Sequence, residues 1–238
     1  MGRNNAECRL PPGQRERADF PRFGLGRFAE SYPEDPVRLK LAIGGDVSNP
    51  LEIAGFDAAI PCRRQVSDFH CVTGWSVCRL NWSGIRFADF HRQFVVPHCR
   101  PAEDCRWVVF RGGDGYRSIL WLEDLLADDV LLADMLGDEP LGLDHGAPLR
   151  LVAPAHYGYK NVKHLAAIEY WRDRRRYRFP FPYPQFMDHP RARVALQERV
   201  RFFPGALLVH FYRLLVPLTV ARSARGLRRY LIRTQEHG

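Results

Sequence analysis

Residues 65–74 read QVSDFHCVTG, and the interpretation of the whole chain depends on this stretch. Apolar and polar side chains alternate along it, which is typical of a half-buried β-strand, and Gly74 indicates a turn at its end. Cys71 is therefore predicted to lie near the end of a strand, beside a turn. Taken alone, such a cysteine is most often a small buried core residue, so its chemistry depends on the surrounding sequence.

Short strands and short helices are predicted on both sides of this stretch. Strands are predicted at 39–43, 50–53, 107–110, 116–120 and 149–153, and short helical turns at 121–126 and 129–135. The sequence GGDG at 112–115 predicts a hairpin between two of the strands. Because strands and helices do not alternate regularly, the pattern favours an α+β fold over a doubly wound sheet.

The chain is predicted to have four parts. Residues 1–36 show no helical or strand period and are predicted to form an irregular N-terminal arm. Residues 37–170 contain the predicted strands and are interpreted as one domain. Residues 171–191 combine an arginine run with alternating proline and aromatic residues, which predicts a linker. Residues 192–238 have apolar residues at helical spacing and are predicted to form a basic amphipathic tail.

The net charge of +8 is concentrated in the C-terminal segment. Residues 190–238 contain 10 basic and 2 acidic side chains, and the rest of the chain is neutral. A cationic tail on a neutral body favours contact with an acidic partner or an anionic membrane surface, and no nucleic-acid partner is expected. The alternative is that the apolar stripe of the tail packs on the domain. Two or three short helices are predicted, interrupted at Pro204–Gly205 and bent near Pro217.

Targeting and redox features favour a cytoplasmic protein. Residues 202–221 are long enough to cross a bilayer, but the central Arg213 would cost about 2.5–3.5 kcal/mol on insertion, so an interfacial, membrane-associated helix is preferred over a spanning one. The six cysteines form no C-x-x-C pair, which favours a reducing compartment. The first residues show no apolar stretch of signal-peptide length.

Further motifs accompany Cys71 in a specific order: WSG at 82–84, GDGY at 113–116, HGAPLRLV at 145–152 and YGYKNVK at 157–163. Together with DFHCVTGWS at 68–76, this set resembles the molybdopterin-binding domain of the sulfite-oxidase-like superfamily. It is most similar to the single-domain branch that includes bacterial methionine-sulfoxide reductase catalytic subunits and their cytoplasmic relatives. The resemblance covers about residues 10–170.

The resemblance implies Mo-molybdopterin with a single pterin, and Cys71 as the protein ligand to molybdenum. A deprotonated thiol is a soft ligand that suits this metal. The resemblance also implies that the cofactor is bound by residues of the HGAPLR and NVK motifs and of the N-terminal arm: His145, Arg150, Asn161, Val162, Lys163, Arg22, Phe23 and Gly24. The planar fork of an arginine and the point charge of a lysine beside a glycine-containing loop suit a phosphate.

The implied reaction is a two-electron oxygen-atom transfer on a small or protein-borne substrate, such as a methionine-sulfoxide-like compound. Candidate residues of the catalytic pocket are His70, Trp75, Tyr116 and Arg117. His70 fits a pocket residue and a strand residue facing away equally well, because neighbours on a strand point to opposite faces. Animal and plant sulfite oxidases have an arginine cluster directly after their cysteine, whereas this chain has VTGW at 72–75, which argues against sulfite.

A separate electron-transfer partner is expected, because the sequence contains no C-x-x-C-H haem attachment motif. This partner would be a haem or flavin protein. The chain has no room for the dimerisation domain of true sulfite oxidases, so a monomer is expected. The alternative function is a catalytically silent module that binds a pterin or a partner on the same fold, although the retained Cys71 argues against it.

Overall fold

A computed structural model describes residues 10–202 and 205–236 of the chain. The strands in this part of the chain are β1 (Arg15–Glu16), β2 (Leu41–Gly45), β3 (Leu51–Ile53), β4 (Cys62–His70), β5 (Trp75–Arg86), β6 (Trp107–Gly112), β7 (Arg117–Trp121), β8 (Leu131–Leu136), β9 (Glu139–Pro140), β10 (Arg150–Val152) and β11 (Leu165–Trp171). The helices are α1 (Phe87–Phe90), α2 (Leu122–Leu125) and α3 (Gly205–Glu236), and a π-helical segment, His91–Cys99, continues α1.

The strands form two sheets of mixed direction. In the first sheet, β5 pairs with β4 and β8 in antiparallel fashion and with β1 in parallel, and β8 also pairs with β9 and β10. The second sheet has the order β3-β2-β11-β6-β7, in which only the β2–β11 pairing is parallel. The α+β class predicted from the sequence is confirmed.

The main core contains side chains from both sheets and from the α1 segment. Its fully buried members include Leu41, Ile43, Phe87, Phe110, Leu132 and Ile168. A second cluster, on the second sheet, is built around Trp107, Trp171 and Val109 and is covered by Tyr177 and Phe179. Residues 171–191, predicted to be a linker, therefore include side chains that pack on this sheet.

The predicted hairpin around GGDG is confirmed, with Val109 opposite Ile119 across β6 and β7. The helical turn predicted at 129–135 is wrong, because this stretch forms β8. That strand lies between β5 and β10, and residues 131–133 are fully buried. A strand buried on both faces shows a continuous apolar run instead of an alternating pattern, which explains the error.

The prediction of two or three short C-terminal helices is also wrong. Gly205–Glu236 forms the single helix α3, and Pro217 lies inside it without ending it. Pro204 lies outside the described residues. An internal proline removes one backbone hydrogen bond, but a helix can continue through it where packing against the rest of the molecule compensates. Neither α3 nor any other helix in the described part of the chain is long and apolar enough to cross a membrane.

The cysteines are in two chemical states. Cys62, Cys71, Cys99 and Cys105 are free thiols, whereas Cys78 is disulfide-bonded. Disulfides persist mainly in oxidising compartments, so this bond departs from the reducing compartment that the cysteine spacing favours. A cytoplasmic location therefore stays a prediction.

Candidate active site

Cys71 lies in the wall of a cavity of about 310 Å³. The turn between β4 and β5 presents it there: the Cys71 N–H donates to the Trp75 carbonyl at 2.8 Å, and the Gly74 N–H donates to the Cys71 carbonyl at 3.0 Å. Gly74 has a φ of +91°, a left-handed conformation that glycine adopts without strain. The predicted position of Cys71, at a strand end and beside a turn, is confirmed.

The Cys71 thiol is buried and has one polar neighbour close to its sulfur. Its Sγ lies 3.1 Å from Thr73 Oγ1. Burial raises the pKa of Cys71 to about 11, although the Thr73 hydrogen bonds and the charges of Arg199 and Lys163 oppose this rise. Without a ligand, the thiol therefore stays protonated at neutral pH.

His70 lies behind the Cys71 turn and does not line the cavity as the described residues define it. Its Nδ1 is 2.7 Å from Ser76 Oγ, and the Ser76 hydroxyl donates to Gln14 Oε1 at 3.1 Å. Gln14 Nε2 in turn donates to the Cys71 carbonyl at 3.2 Å. Burial lowers the pKa of His70, which keeps the ring neutral. Of the two orientations left open by the sequence, the structure adopts the one that faces away from the cavity.

Arg199 holds the same turn from the C-terminal side. Its guanidinium is fully buried, donates to the Val72 carbonyl at 2.6 Å and lies 4.9 Å from the centre of the Tyr157 ring. It also donates to the Pro12 carbonyl at 3.4 Å. A side chain far along the sequence thus connects the N-terminal arm to the residue after Cys71.

Arg150 and Lys163, called here the cation pair, line the cavity as well. Arg150 donates to the His145 carbonyl at 2.9 Å, and Lys163 Nζ donates to the Phe23 carbonyl at 3.0 Å. Burial lowers the pKa of Arg150 to about 9, and burial together with the nearby Arg22 and Arg150 holds the pKa of Lys163 well below its usual value. Neither cation forms an ion pair with a carboxylate among the described residues.

The other motif residues divide between the cavity and the core. His145 lines the cavity and stacks on Phe20 with a centroid distance of 4.7 Å; burial, with the charges of the cation pair, lowers its pKa to about 4. Asn161 also lines the cavity, and its Oδ1 accepts a 2.6 Å hydrogen bond from the Ala153 N–H. Val162 is fully buried in the main core, where its carbonyl accepts from the Leu151 N–H.

Two of the three predicted arm residues line the cavity, namely Phe23 and Gly24. Arg22 lies beside it and is bound to the protein itself. It donates to the Leu143 carbonyl at 3.0 Å and to the Ser31 carbonyl at 2.7 Å, and its guanidinium lies 3.9 Å from the Tyr32 ring centre. In this arrangement Arg22 acts on the cavity through its charge.

Tyr116 directly precedes β7, which begins at Arg117, and the two side chains have different surroundings. Tyr116 lines the cavity, and its hydroxyl donates to the Tyr159 carbonyl at 2.7 Å. Arg117 Nε donates to the Arg178 carbonyl at 3.1 Å, on the segment that covers the second sheet. Trp75, the remaining pocket candidate, also lines the cavity.

A family model, the oxidoreductase molybdopterin binding domain, matches residues 29–178. This range is more than half of the chain and includes Cys71 and the cation pair. The chain belongs to this family. It is thus an oxidoreductase of the sulfite-oxidase-like superfamily whose cofactor is Mo-molybdopterin, as the ordered motifs predicted.

Several relatives of this molybdopterin-binding oxidoreductase are known. The uncharacterized oxidoreductase YuiH of Bacillus subtilis is 34% identical over 166 residues, which cover 69% of this chain and 80% of that protein. The protein-methionine-sulfoxide reductase catalytic subunit MsrP of Xanthomonas axonopodis is 27% identical over 212 residues, covering 76% of this chain and 64% of that protein. Mitochondrial sulfite oxidase of Drosophila melanogaster is 35% identical over 129 residues, covering 47% and 22% respectively.

A solved structure is also similar, that of the sulfane dehydrogenase SoxCD from Paracoccus pantotrophus. The TM-score is 0.49 with 20% sequence identity, and the match covers 56% of this chain and 38% of that one. The chain spans less than two thirds of the length of MsrP.

Three observations indicate that the cavity suits the cofactor of the molybdopterin family. Cys71 offers one soft sulfur donor, which the dithiolene of a pterin would complement. Arg150 is buried and Lys163 half-buried, and neither forms a salt bridge with a carboxylate of the described residues, so the cation pair suits a phosphate. The Trp75 Nε1–H is buried without a hydrogen-bond acceptor and can donate to a bound group.

Several cavity residues of this molybdopterin-binding site carry no local sequence signal that predicts them. Tyr183, Met187, Leu218, Thr219 and Arg222 line the cavity, and all of them come after the matched residues. Their positions depend on the long-range packing of the C-terminal part, which local sequence patterns do not encode. Thr73 could have been predicted from the sequence, because a hydroxyl two residues after a predicted metal-ligating thiol is a local signal.

Proposed function

We propose that this oxidoreductase catalyses two-electron oxygen-atom transfer on an organic sulfoxide or a chemically similar substrate. In the reductive direction, the sulfur–oxygen bond breaks, two electrons and two protons are consumed, and a thioether and water are released. The name of the MsrP relative, a protein-methionine-sulfoxide reductase, supports this substrate class. The arrangement that carries the proposal is one buried thiol and the cation pair in a single cavity.

When bound, Mo-molybdopterin supplies the two-electron redox chemistry and the site of oxygen exchange. Arg150 and Lys163 would hold the pterin phosphate, and Cys71 would bind the metal as a thiolate. Because burial raises the pKa of Cys71 to about 11, binding has to be coupled to release of the thiol proton. The charges of Lys163 and Arg199 favour the thiolate and reduce this cost.

The remaining cavity residues orient the substrate and exclude water. Tyr116 uses its hydroxyl proton in the bond to the Tyr159 carbonyl, so its oxygen is available as an acceptor for a substrate N–H or O–H. Trp75 Nε1–H is the complementary donor. Phe23 and Phe69 contribute aromatic surface, which keeps bulk water from the cavity.

We infer that electrons are exchanged with a separate protein that carries haem or flavin. The MsrP relative is named a catalytic subunit, which supports a system in which the catalytic protein and the electron-transfer protein are separate chains. Arg225 and Arg228 are exposed on α3 and provide a cationic surface for an acidic partner. Peripheral contact of the same helix with an anionic membrane is the competing proposal, and co-sedimentation with anionic lipid vesicles tests it. We also infer that the protein is a monomer.

The test of the proposed function is the molybdenum and pterin content per chain, measured after expression in a host that makes molybdopterin. We expect near-stoichiometric metal in the wild type and an altered or lost Mo(V) signal in Cys71→Ala. Cys62→Ala is the control, because Cys62 is a free, exposed thiol outside the cavity. Folded wild-type protein without metal would contradict the proposal, and loaded protein that cannot reduce sulfoxides with reduced viologen would indicate a catalytically silent module.

A further inference from the structure

Helix α3 packs on the N-terminal arm along one face, here called the docking stripe. Its members are spaced three or four residues apart: Val216, Thr219, Ser223, Gly226 and Tyr230. Val216 packs against the cluster of Cys71 and Trp75. A Cβ at position 226 would lie 2.5 Å from the Cα of Glu30, so glycine permits this close approach.

Polar contacts hold the same face of the helix. Arg222 and Arg229 lie 3.5 and 3.8 Å from the Glu30 carboxylate. The Tyr32 ring lies 5.1 Å from that of Tyr230, and its hydroxyl is 3.5 Å from the Ser223 carbonyl. Apolar, ionic and close backbone contacts together therefore hold α3 in one position on the N-terminal arm.

This position brings the helix into the cavity wall. Leu218, Thr219 and Arg222 line the same cavity as Cys71, together with Tyr183 and Met187. These residues all follow residue 178, where the family match ends. This part of the wall therefore lies outside the residues matched by the family model.

The chemistry of this wall suits a neutral ligand. Tyr183, Met187 and Leu218, called here the apolar wall, present an aromatic ring, a thioether and an isobutyl group. Of the cations in the cavity, Arg150 and Lys163 are assigned to the pterin phosphate, and the charge of Arg222 is partly compensated by Glu30, which Arg229 also contacts. An anionic substrate would have to compete with these partners, whereas an apolar group only displaces water.

We propose that α3 completes the substrate pocket and that the apolar wall binds the apolar group of an uncharged substrate. The identification of this cavity as the substrate site rests on the proposed function, but the binding itself does not require turnover. Leu218 is the residue whose substitution separates this role from a general role in helix packing. It is 65% exposed, so it contributes little to the core and its replacement is compatible with folding.

The experiment measures the binding of methyl phenyl sulfoxide and of benzenesulfonate to the oxidised full-length holoprotein by calorimetry. The two probes share a phenyl ring and differ in charge. Leu218→Ser is compared with Leu214→Ser, which changes a leucine one turn away that is 73% exposed and does not line the cavity. We expect Leu218→Ser to weaken sulfoxide binding roughly tenfold, and Leu214→Ser to leave it within about twofold.

A second variant, Leu218→Trp, fills the mouth of the cavity. We expect it to weaken binding of methyl phenyl sulfoxide more than that of dimethyl sulfoxide, which lacks the ring. Equal effects of Leu218→Ser and Leu214→Ser would overturn the role of α3. Tighter binding of benzenesulfonate than of the sulfoxide, lost in Arg222→Gln, would overturn the neutral substrate class. These affinities are measured on protein whose molybdenum content is already known, so absence of the metal would contradict the proposed function, whereas equal affinities of the variants in loaded protein would contradict the present inference alone.

Discussion

Lys163 is half-buried, and burial together with the nearby Arg22 and Arg150 holds its pKa well below the usual value, although the nearby Asp114 opposes this shift. Its charge is therefore favoured most when an anion is bound. We expect Lys163→Met to stabilise the protein without cofactor by about 1 kcal/mol, because a charge that burial and the neighbouring arginines disfavour is replaced by an apolar chain of similar length. The same change should lower the pterin content of the expressed protein.

The measurements are urea unfolding of the cofactor-free protein and pterin content per chain. Lys40→Met is the matched control, because Lys40 is a surface lysine whose side chain is 74% exposed. A loss of stability in Lys163→Met comparable to its loss of pterin would contradict the assignment, since it would indicate a structural cation.

The lowered pKa of His164 is expected to make the free energy of unfolding depend on pH. Its Nε2 accepts from Arg22 NH1 at 3.0 Å and its Nδ1–H donates to the Ala147 carbonyl at 2.6 Å, so the ring is neutral. Burial, with the nearby charges of Arg22 and Lys163, lowers its pKa to about 3. The unfolded chain therefore binds a proton below about pH 6.5 that the folded protein does not bind, and stability falls as the pH is lowered.

For this one group, the expected loss is about 1.4 kcal/mol per pH unit between pH 6 and pH 4. His164→Gln should be less stable than the wild type at pH 7 but should lose stability less steeply over that interval. The free energy of unfolding is measured in urea at each pH. An unchanged pH slope in the variant would assign the pH dependence to other groups.

At the scale of elements, the packing of α3 reverses a general rule on helix propensity. Glycine in a helix interior is usually about 1 kcal/mol less favourable than alanine. Gly226→Ala should nevertheless destabilise the docked helix, because its methyl group would meet the backbone of Glu30. Limited proteolysis of α3 should become faster in this variant, whereas Arg228→Ala, an exposed change on the same helix, should leave it unchanged.

A buried ion cluster attaches the segment after β11 to the domain. Asp188 accepts from Lys160 Nζ at 2.6 Å and from Arg174 at 2.7 Å, and both Lys160 and Asp188 are fully buried. Asp188→Ala should cost about 3–5 kcal/mol, because it leaves the Lys160 charge without its partner. The double variant Lys160→Met/Asp188→Leu should recover most of this loss in thermal unfolding. Equal destabilisation of the single and double variants would show that packing, and not charge, dominates.

The elements that the sequence predicted well are those with a local signal. The strand ending at His70 has an alternating pattern, and the hairpin at Val109 and Ile119 has a glycine-rich turn. β8 lacks such a signal because it is buried on both faces. The single helix through Pro217 was missed because its stability depends on docking to residues near Glu30, nearly two hundred positions away.

At the scale of the whole molecule, the C-terminal part has two roles that truncation separates. Removing residues 203–238 takes away α3 and opens the cavity, while removing 190–238 also takes away Val194 and the buried Arg199. The shorter truncation should stay folded, with one cooperative thermal transition. The longer one should lose several kcal/mol of stability, since it exposes the Tyr157 cluster and frees the Cys71 turn. Similar unfolding of both truncations would contradict this division.

The candidate site was predictable to the extent that ordered motifs define it. Cys71, Arg150 and Lys163 are brought to one cavity as the motifs implied, whereas His70 and Arg117 point away from it. Motif order indicates which residues belong to a site, but strand orientation and long-range contacts decide which side chains enter it. Arg199 and Leu218 were missed for that reason.

The order in which the walls of the cavity are assembled has a consequence for maturation. Among the described elements, α3 leaves the ribosome last, and it is the element that covers the side of the cavity next to Cys71. A chain that contains the motif residues but in which α3 has not docked therefore presents a more open cleft to its cofactor. We expect cofactor insertion to be faster before α3 docks than after it.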